Sequence, residues 1–131
     1  MKKLTKKLGK LSETELEVML VIWGMAAPVT VSHALEVFAQ RRGWKTSTLS
    51  TILDRLIEKG FLTKTLKGKA NLYTPALTED AYKEYETRMF LSSMHNGSLK
   101  SFIATLANGT GLSTEEVADI RTWFFEKAGD D

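Results

Sequence analysis

The amino-acid sequence predicts a mostly α-helical protein that carries one small β-hairpin. Segments with helical spacing of apolar residues or with a helix-capping motif occur throughout the chain, and two short strand-like runs flank a glycine turn near its middle. The charge also changes sign along the chain. Residues 1–77 carry 13 Lys and Arg against 6 Asp and Glu, a net +7, whereas residues 78–131 carry 5 against 10, a net −5. We therefore predict two domains with these bounds, the first of which suits a polyanionic partner.

The composition excludes several classes of protein. Hydrophobic residues make up 43% of the chain and charged residues 26%, which is typical of folded globular proteins. No apolar run approaches the roughly 18 to 20 residues of a membrane span, and the lysine-rich start lacks the apolar stretch of a signal peptide. We therefore expect a cytoplasmic protein that does not contact a membrane. Because the chain has no cysteine, disulfides, thiolate metal sites and redox sensing are excluded.

Capping residues mark the first two helices. The motif Ser12-Glu13-Thr14-Glu15 is a capping box that starts helix one, and Gly24 ends it. The segment Pro28-Val29-Thr30 is predicted to be extended, with Thr30 as the cap of helix two. Gly43 closes that second helix.

A third helix, from Lys45 or Thr46 to Gly60, has two contrasting faces. Apolar residues recur on one face, which is predicted to be buried: Leu49, Ile52, Leu53, Leu56 and Ile57. The other face carries short polar side chains and one arginine: Ser47, Thr48, Ser50, Thr51, Asp54 and Arg55. Such a face can enter a DNA major groove without collision and offer hydroxyls to phosphates and base edges. An ordinary solvated face would more often carry long Glu and Lys side chains.

Two strand-like runs, 61–66 and 70–75, flank the turn Lys67-Gly68-Lys69 and predict a β-hairpin with a basic tip. A two-stranded hairpin alone is only marginally stable in water, so we expect it to lean on the helices. Lys67 and Lys69 are then free to contact a DNA backbone or minor groove. Three helices followed by a basic hairpin is the order of elements in a winged helix-turn-helix domain.

Three further helices are predicted after residue 77. Thr78 caps a fourth helix that runs to about His95, Ser98 caps a fifth, and Ser113-Thr114-Glu115-Glu116 is a second capping box that opens a sixth. These helices carry more large apolar side chains than a segment of about 54 residues can bury within itself. We expect them to form a homodimer interface, the alternative being that they pack against residues 1–77. The interface candidates are Phe90, Met94, Leu99, Phe102, Ile103, Leu106, Ile120, Trp123 and Phe124.

The sequence offers no catalytic arrangement. There is no nucleophile beside a base and no phosphate-binding loop, and a zinc site would need three or four convergent donors, whereas His33 and His95 lie far apart. We therefore expect no enzyme, cofactor or metal, and we interpret Trp23 and Trp44 as packing residues. The alternative to DNA binding is a winged helix used for protein contacts alone. That alternative gives no reason for a hydroxyl-bearing face at 47–51 and lysines at 67 and 69 beside the basic leader Met1–Lys10.

Several segments match a known family of regulators. They are 11–19 with Trp23, 44–56 with Lys59 and Gly60, 72–75, 90–91 and 96–99. On these segments the chain resembles the penicillinase-repressor group of winged-helix regulators, the BlaI/MecI/CopY family, over about residues 11–127. The resemblance implies a homodimeric repressor that binds a palindromic operator in double-stranded DNA through the third helix and the wing, and that dimerises through its C-terminal helices.

The resemblance also implies the DNA-binding positions, which are Ser47, Thr48, Ser50, Thr51 and Arg55 in helix three and Lys67 and Lys69 at the wing tip. Asp54 departs from the amide-bearing residue expected in that helix. Phosphates would repel its carboxylate unless Arg55 or a base amino group offsets the charge.

The switches of the family also differ here. Its best-known members release DNA when a protease cuts an asparagine–phenylalanine bond in the fifth helix, so the resemblance implies an inactivating protease as a partner. Counted from Asn96-Gly97-Ser98, that bond falls on Thr105-Leu106, which is a different dipeptide. The copper-responsive branch uses C-terminal cysteines, and their absence excludes that inducer.

Overall fold

The computed structural model describes residues 8–109 and 111–129. These residues form helices and short strands in the order α1 Glu13–Trp23, β1 Val29–Thr30, α2 Val31–Arg42, α3 Thr46–Glu58, β2 Leu62–Lys67, β3 Ala70–Pro75, α4 Glu79–His95, α5 Leu99–Asn108 and α6 Thr114–Gly129. The predicted fold class, mostly helical with a small sheet, is confirmed. Within the described ranges, every helix is too short or too polar to cross a lipid bilayer.

The chain divides into two compact units between Lys83 and Glu84, within α4. We call them the N-terminal unit and the C-terminal unit. From the sequence, the division is expected after residue 77, two residues beyond the end of β3. The structure leaves the start of α4 with the N-terminal unit because the Tyr82 ring stacks on Trp23 at 5.5 Å and meets Phe61 edge-on at 5.3 Å, centroid to centroid.

Local capping interactions define the first helices as the sequence predicts. The Ser12 hydroxyl accepts a hydrogen bond from the Glu15 amide at 3.1 Å, and the Ser12 amide donates to the Glu15 carboxylate at 2.8 Å. The Thr30 hydroxyl accepts from the His33 amide at 3.1 Å. Gly43 ends α2 with φ 67°, a left-handed conformation that glycine adopts without strain.

The hairpin belongs to a three-stranded antiparallel sheet in the order β1-β3-β2. β2 and β3 pair from Leu62 opposite Pro75 to Lys67 opposite Ala70, and Gly68 makes the turn with φ 63°. β1 adds a third strand, with Val29 opposite Tyr73. The sequence predicted an extended segment there but not its pairing, because the partner strand lies far along the chain. This third strand joins the base of the hairpin to the helices.

A closed apolar core lies beneath α1, α2, α3 and the sheet. Its largest fully buried side chains are Phe38, Phe61, Met19, Ile22, Leu49, Leu53, Leu56, Leu62, Val18 and Val29. The two tryptophans of the N-terminal unit are half-buried at its edge. The Trp23 indole donates to the Leu77 carbonyl at 3.0 Å, and the Trp44 ring stacks on Phe38 at 4.9 Å. The interpretation of Trp23 and Trp44 as packing residues is confirmed.

The helices of the C-terminal unit are capped but form no closed core. Ser98 accepts from the Ser101 amide at 3.0 Å, and Ser113 and Glu116 make the predicted second capping box with two bonds of 3.1 Å. The Phe90 and Phe102 rings meet edge-on at 6.0 Å. From residue 84 onward, none of the described residues is buried.

Candidate nucleic-acid interface

The exposed side of α3 carries the residues that the sequence predicts to contact DNA. Leu49, Leu53 and Leu56 are buried, with at most 1% of their surface exposed. On the opposite side Ser47, Thr48, Thr51 and Arg55 are exposed, and Ser50 is half-buried. At about 100° per residue, Ser47, Thr51 and Asp54 lie within one narrow sector of the helix. The structure therefore places the predicted side chains of α3 on one continuous polar face.

Hydrogen bonding orients part of this face. The Thr51 hydroxyl donates to the Ser47 carbonyl oxygen at 3.0 Å, which uses its only proton and leaves the oxygen able to accept. Lys45 is the cap residue of α3, and its side chain accepts no hydrogen bond from the first backbone amides of the helix. Uncapped amides at a helix N-terminus attract anions, phosphate groups included.

The ammonium of Lys64 in β2 offsets the charge of the Asp54 carboxylate. The sequence alone indicated only Arg55 or a base amino group for this role. The Lys64 ammonium lies 3.9 Å from the exposed Asp54 carboxylate. Burial raises the pKa of the Tyr73 phenol, and the negative charge of Asp54 raises it further. The missed signal was strand alternation, because Lys64 lies two residues after the buried Leu62 and shares its face of the sheet.

The two faces of the hairpin carry different side chains. Every second residue of β2 lies on the face that is turned toward α3, namely Leu62, Lys64 and Leu66. The burial of Leu62 and the approach of Lys64 to Asp54 identify this face. Lys67 lies on the opposite face, and Lys69 lies in the turn. Both predicted wing lysines are exposed.

Several cations of the N-terminal unit are paired within the chain. Lys59 bonds the buried carboxylate of Glu15 and the Lys10 carbonyl, and Arg41 and Arg42 both pair with Glu17 of α1. The hydrogen bond from Arg42 lowers the pKa of the Glu17 carboxyl. Among the residues that the structure describes, the side chains of Lys45, Arg55, Lys67 and Lys69 have no carboxylate within 4.0 Å. Apart from Lys10, the described cations of this unit without a carboxylate partner therefore lie on or beside the polar face of α3 and the wing.

Comparison with known proteins relates the chain to one family. The penicillinase repressor family model matches residues 11–124. A penicillinase repressor of Bacillus licheniformis is 33% identical over 115 residues, which cover 88% of this chain and 89% of that protein. The methicillin resistance regulatory protein MecI of Mammaliicoccus sciuri is 26% identical over 115 residues, covering 88% of this chain and 93% of that protein.

A solved structure supports the same relationship. The DNA-binding domain of the repressor BlaI is 35% identical to this chain, with a TM-score of 0.52, and the match covers 60% of this chain and 94% of that domain. The predicted fold and family are thus confirmed, and the family is one of repressors and not of enzymes. With a family model matched over most of its length, the chain belongs to the penicillinase repressor family.

Proposed function

We propose that the chain is a homodimeric transcriptional repressor that binds a palindromic operator in double-stranded DNA through α3 and the β2–β3 wing. The observation that carries the proposal is the exposed polar face of α3, bordered by cations without a carboxylate partner among the described residues. Short hydroxyl side chains let a helix approach base edges closely, and unpaired lysines and arginines can neutralise phosphates. The related BlaI domain, which is a DNA-binding domain, supports this assignment.

The proposed contacts follow from exposure and chemistry. Ser47, Thr48 and Thr51 offer hydroxyl oxygens to base edges and phosphates from the exposed face. Arg55 offers a planar fork of donors that suits a guanine edge or a phosphate. Ser50 is half-buried, so we assign it a smaller share of the contact. Lys67 and Lys69 contact the sugar–phosphate backbone, because lysine acts there as a mobile point charge.

The proposed dimer is formed by the C-terminal unit. Its large exposed apolar side chains retain between 36% and 73% of their surface: Met89, Phe90, Met94, Leu99, Leu106, Val117, Ile120, Trp123, Phe124 and Phe125. Of the other interface candidates, Phe102 and Ile103 are half-buried within the unit. An apolar surface of this density favours association with a second copy. A two-fold dimer presents two α3 helices to half-sites about one DNA turn apart or a multiple of it, which makes the operator palindromic.

Two of the other expectations concern location and release. In bacteria such as Bacillus licheniformis, the source of a related repressor, chromosomal DNA lies in the cytoplasm, which is the expected location of this protein. An inactivating protease would have to unwind α5, because the Thr105-Leu106 bond lies inside that helix and the Thr105 hydroxyl donates to the Ser101 carbonyl at 2.9 Å.

The test of this proposal begins with genomic footprinting of the purified protein, followed by fluorescence anisotropy on the recovered duplex. We expect the affinity to fall about 10³-fold or more between about 50 and 200 mM salt if six or more phosphates are contacted. Thr51→Ala and Arg55→Ala each lower operator affinity by about 1–3 kcal/mol while the dimer persists.

Matched controls separate a DNA contact from a local structural effect. Thr105→Ala removes the same kind of hydroxyl-to-carbonyl bond from α5, and Arg121→Ala removes an exposed arginine from α6. Both controls retain operator affinity. If no site is enriched in the footprint, or if binding does not depend on salt, the chain is a module for protein contacts and the proposal is wrong.

A further inference from the structure

An exposed leucine lies near the tip of the wing. Leu66 keeps 70% of its surface exposed, and among the large apolar side chains described for the N-terminal unit only Leu20, at 47%, is also classed as exposed. A single exposed leucine is ordinary on a protein surface. Its position in the strand register is what makes this one informative.

Leu66 belongs to the face of the hairpin that is turned toward α3. Leu66 is opposite Asn71 in the register, and the preceding pair on the same face is Lys64 opposite Tyr73. Tyr73 is 3% exposed, and Lys64 reaches Asp54 in the middle of the exposed sector of α3. Leu66 and Asn71 are therefore the outermost pair on the face that borders the proposed reading surface.

The chemistry around this pair matches the minor groove of DNA. Lys67 and Lys69, which have no carboxylate partner among the described residues, lie next to this pair at the tip of the hairpin, and their positive charge suits the phosphate rims of a groove. Leucine is one of the apolar residues that proteins insert into minor grooves. The Asn71 side chain is exposed and engages no hydrogen bond to another described residue, so both its donor and its acceptor are available to base edges.

We propose that Leu66 and Asn71 enter the minor groove beside the half-site that α3 reads, and that they make the wing sensitive to base composition. This inference rests on the proposed DNA binding by α3. Leu66 packs against sugars and base edges, while the Asn71 amide donates to the adenine N3 or thymine O2 acceptors. The guanine 2-amino group protrudes into the groove floor and keeps Leu66 from packing there, so the wing prefers A·T pairs.

The experiment compares three duplexes that carry the recovered operator and differ only in the pairs that the footprint places beneath the wing. These pairs are A·T, G·C or inosine·C. Inosine·C keeps the major-groove pattern of G·C but lacks the 2-amino group in the minor groove. For the wild-type protein we expect about tenfold weaker binding to the G·C duplex than to the A·T duplex, with affinity restored by inosine·C.

Variants assign the preference to the two residues. The double variant Leu66→Ala with Asn71→Ala binds the three duplexes with equal affinity and keeps its affinity for random duplex DNA. Lys67→Ala instead weakens binding to all three duplexes by the same factor, because a phosphate contact carries no sequence information. Leu20→Ala, which removes the exposed leucine of α1, leaves the preference unchanged.

The outcomes separate this inference from the proposed function. If the wild-type protein prefers its operator to random DNA but binds the three duplexes equally, the wing inference is wrong and the proposed function stands. The inference is also wrong if the double variant retains the preference for A·T. If the wild-type protein shows no preference for any operator, both fail.

Discussion

The N-terminal unit buries most of its large apolar side chains, whereas the C-terminal unit leaves many of its own exposed. In the N-terminal unit Phe38, Phe61 and Leu49 have no exposed surface. In the C-terminal unit Trp123 is 52% exposed and Phe125 is 73% exposed, although their helix opens with a capping box of the same kind as that of α1. Local signals thus form helices in both units, but only the N-terminal unit closes a core by itself.

The difference arises from contacts between distant segments. In the N-terminal unit, strand pairing of β1 with β3 and the ring contacts of Tyr82 bring together parts of the chain that are far apart in sequence. In the C-terminal unit, the ring contacts among Phe90, His95 and Phe102 join only neighbouring helices. In the proposed dimer, a second copy covers the apolar surface that the C-terminal unit leaves exposed, and this burial stabilises the unit.

The largest expected effect tests the closed core. Phe38→Ala removes a fully buried ring that stacks on Trp44, and we expect it to lower the free energy of unfolding of the N-terminal unit by about 3–5 kcal/mol. Urea denaturation followed by tryptophan fluorescence measures this loss. Phe125→Ala, made at an exposed position, should change the same transition by no more than about 0.5 kcal/mol. Equal losses in the two variants would erase the contrast between the units.

A somewhat smaller effect is expected for the association of the C-terminal units. Trp123→Ala and Phe124→Ala each remove an exposed ring from α6, and we expect each to raise the dimer dissociation constant about 30-fold, the equivalent of roughly 2 kcal/mol. Sedimentation equilibrium measures the constant, with Arg121→Ala as the control from the same helix. Circular dichroism of the N-terminal unit should not change. A wild-type protein that stays monomeric at micromolar concentration would contradict the proposed dimer.

The smallest expected effect compares the two capping boxes. Ser12→Ala should lower the free energy of unfolding by about 1 kcal/mol, because the box of α1 includes the buried carboxylate of Glu15, which also bonds Lys59. Ser113→Ala removes the hydroxyl from the exposed capping box of α6, and we expect it to lower the free energy of unfolding by only a few tenths of that amount. Thermal unfolding of the two variants gives the comparison, and a larger loss for Ser113→Ala would contradict it.

The same buried box predicts a dependence on pH. Burial by itself would raise the pKa of Glu15, but hydrogen bonds from Lys59 and from the Ser12 amide outweigh it and lower the pKa below its usual value of 4.5. The stability that ionised Glu15 contributes is therefore present above pH 4.5 and is lost as the pH falls through the lowered value. Glu15→Gln should flatten the acid side of the stability profile, measured by urea denaturation at several pH values.

Local signals predict a large part of the fold and of the candidate site. Each capping box depends on residues three apart, the end of α2 depends on Gly43, and the two faces of α3 follow from helical periodicity. These features are readable from short stretches because their energetics involve neighbours along the chain. The face of α3 with Ser47, Thr51 and Arg55 was predicted for that reason.

Other features exist only where distant segments meet. The third strand, the pairing of Lys64 with Asp54 and the inclusion of Tyr82 in the N-terminal unit each join residues from different elements. The packing of the hairpin against α3 also decides which face of the hairpin borders that helix. Leu66 lies on this face, and Lys67 lies on the opposite one. A single sequence records the local preferences of each element, whereas the packing of the elements against one another decides which side chains become neighbours.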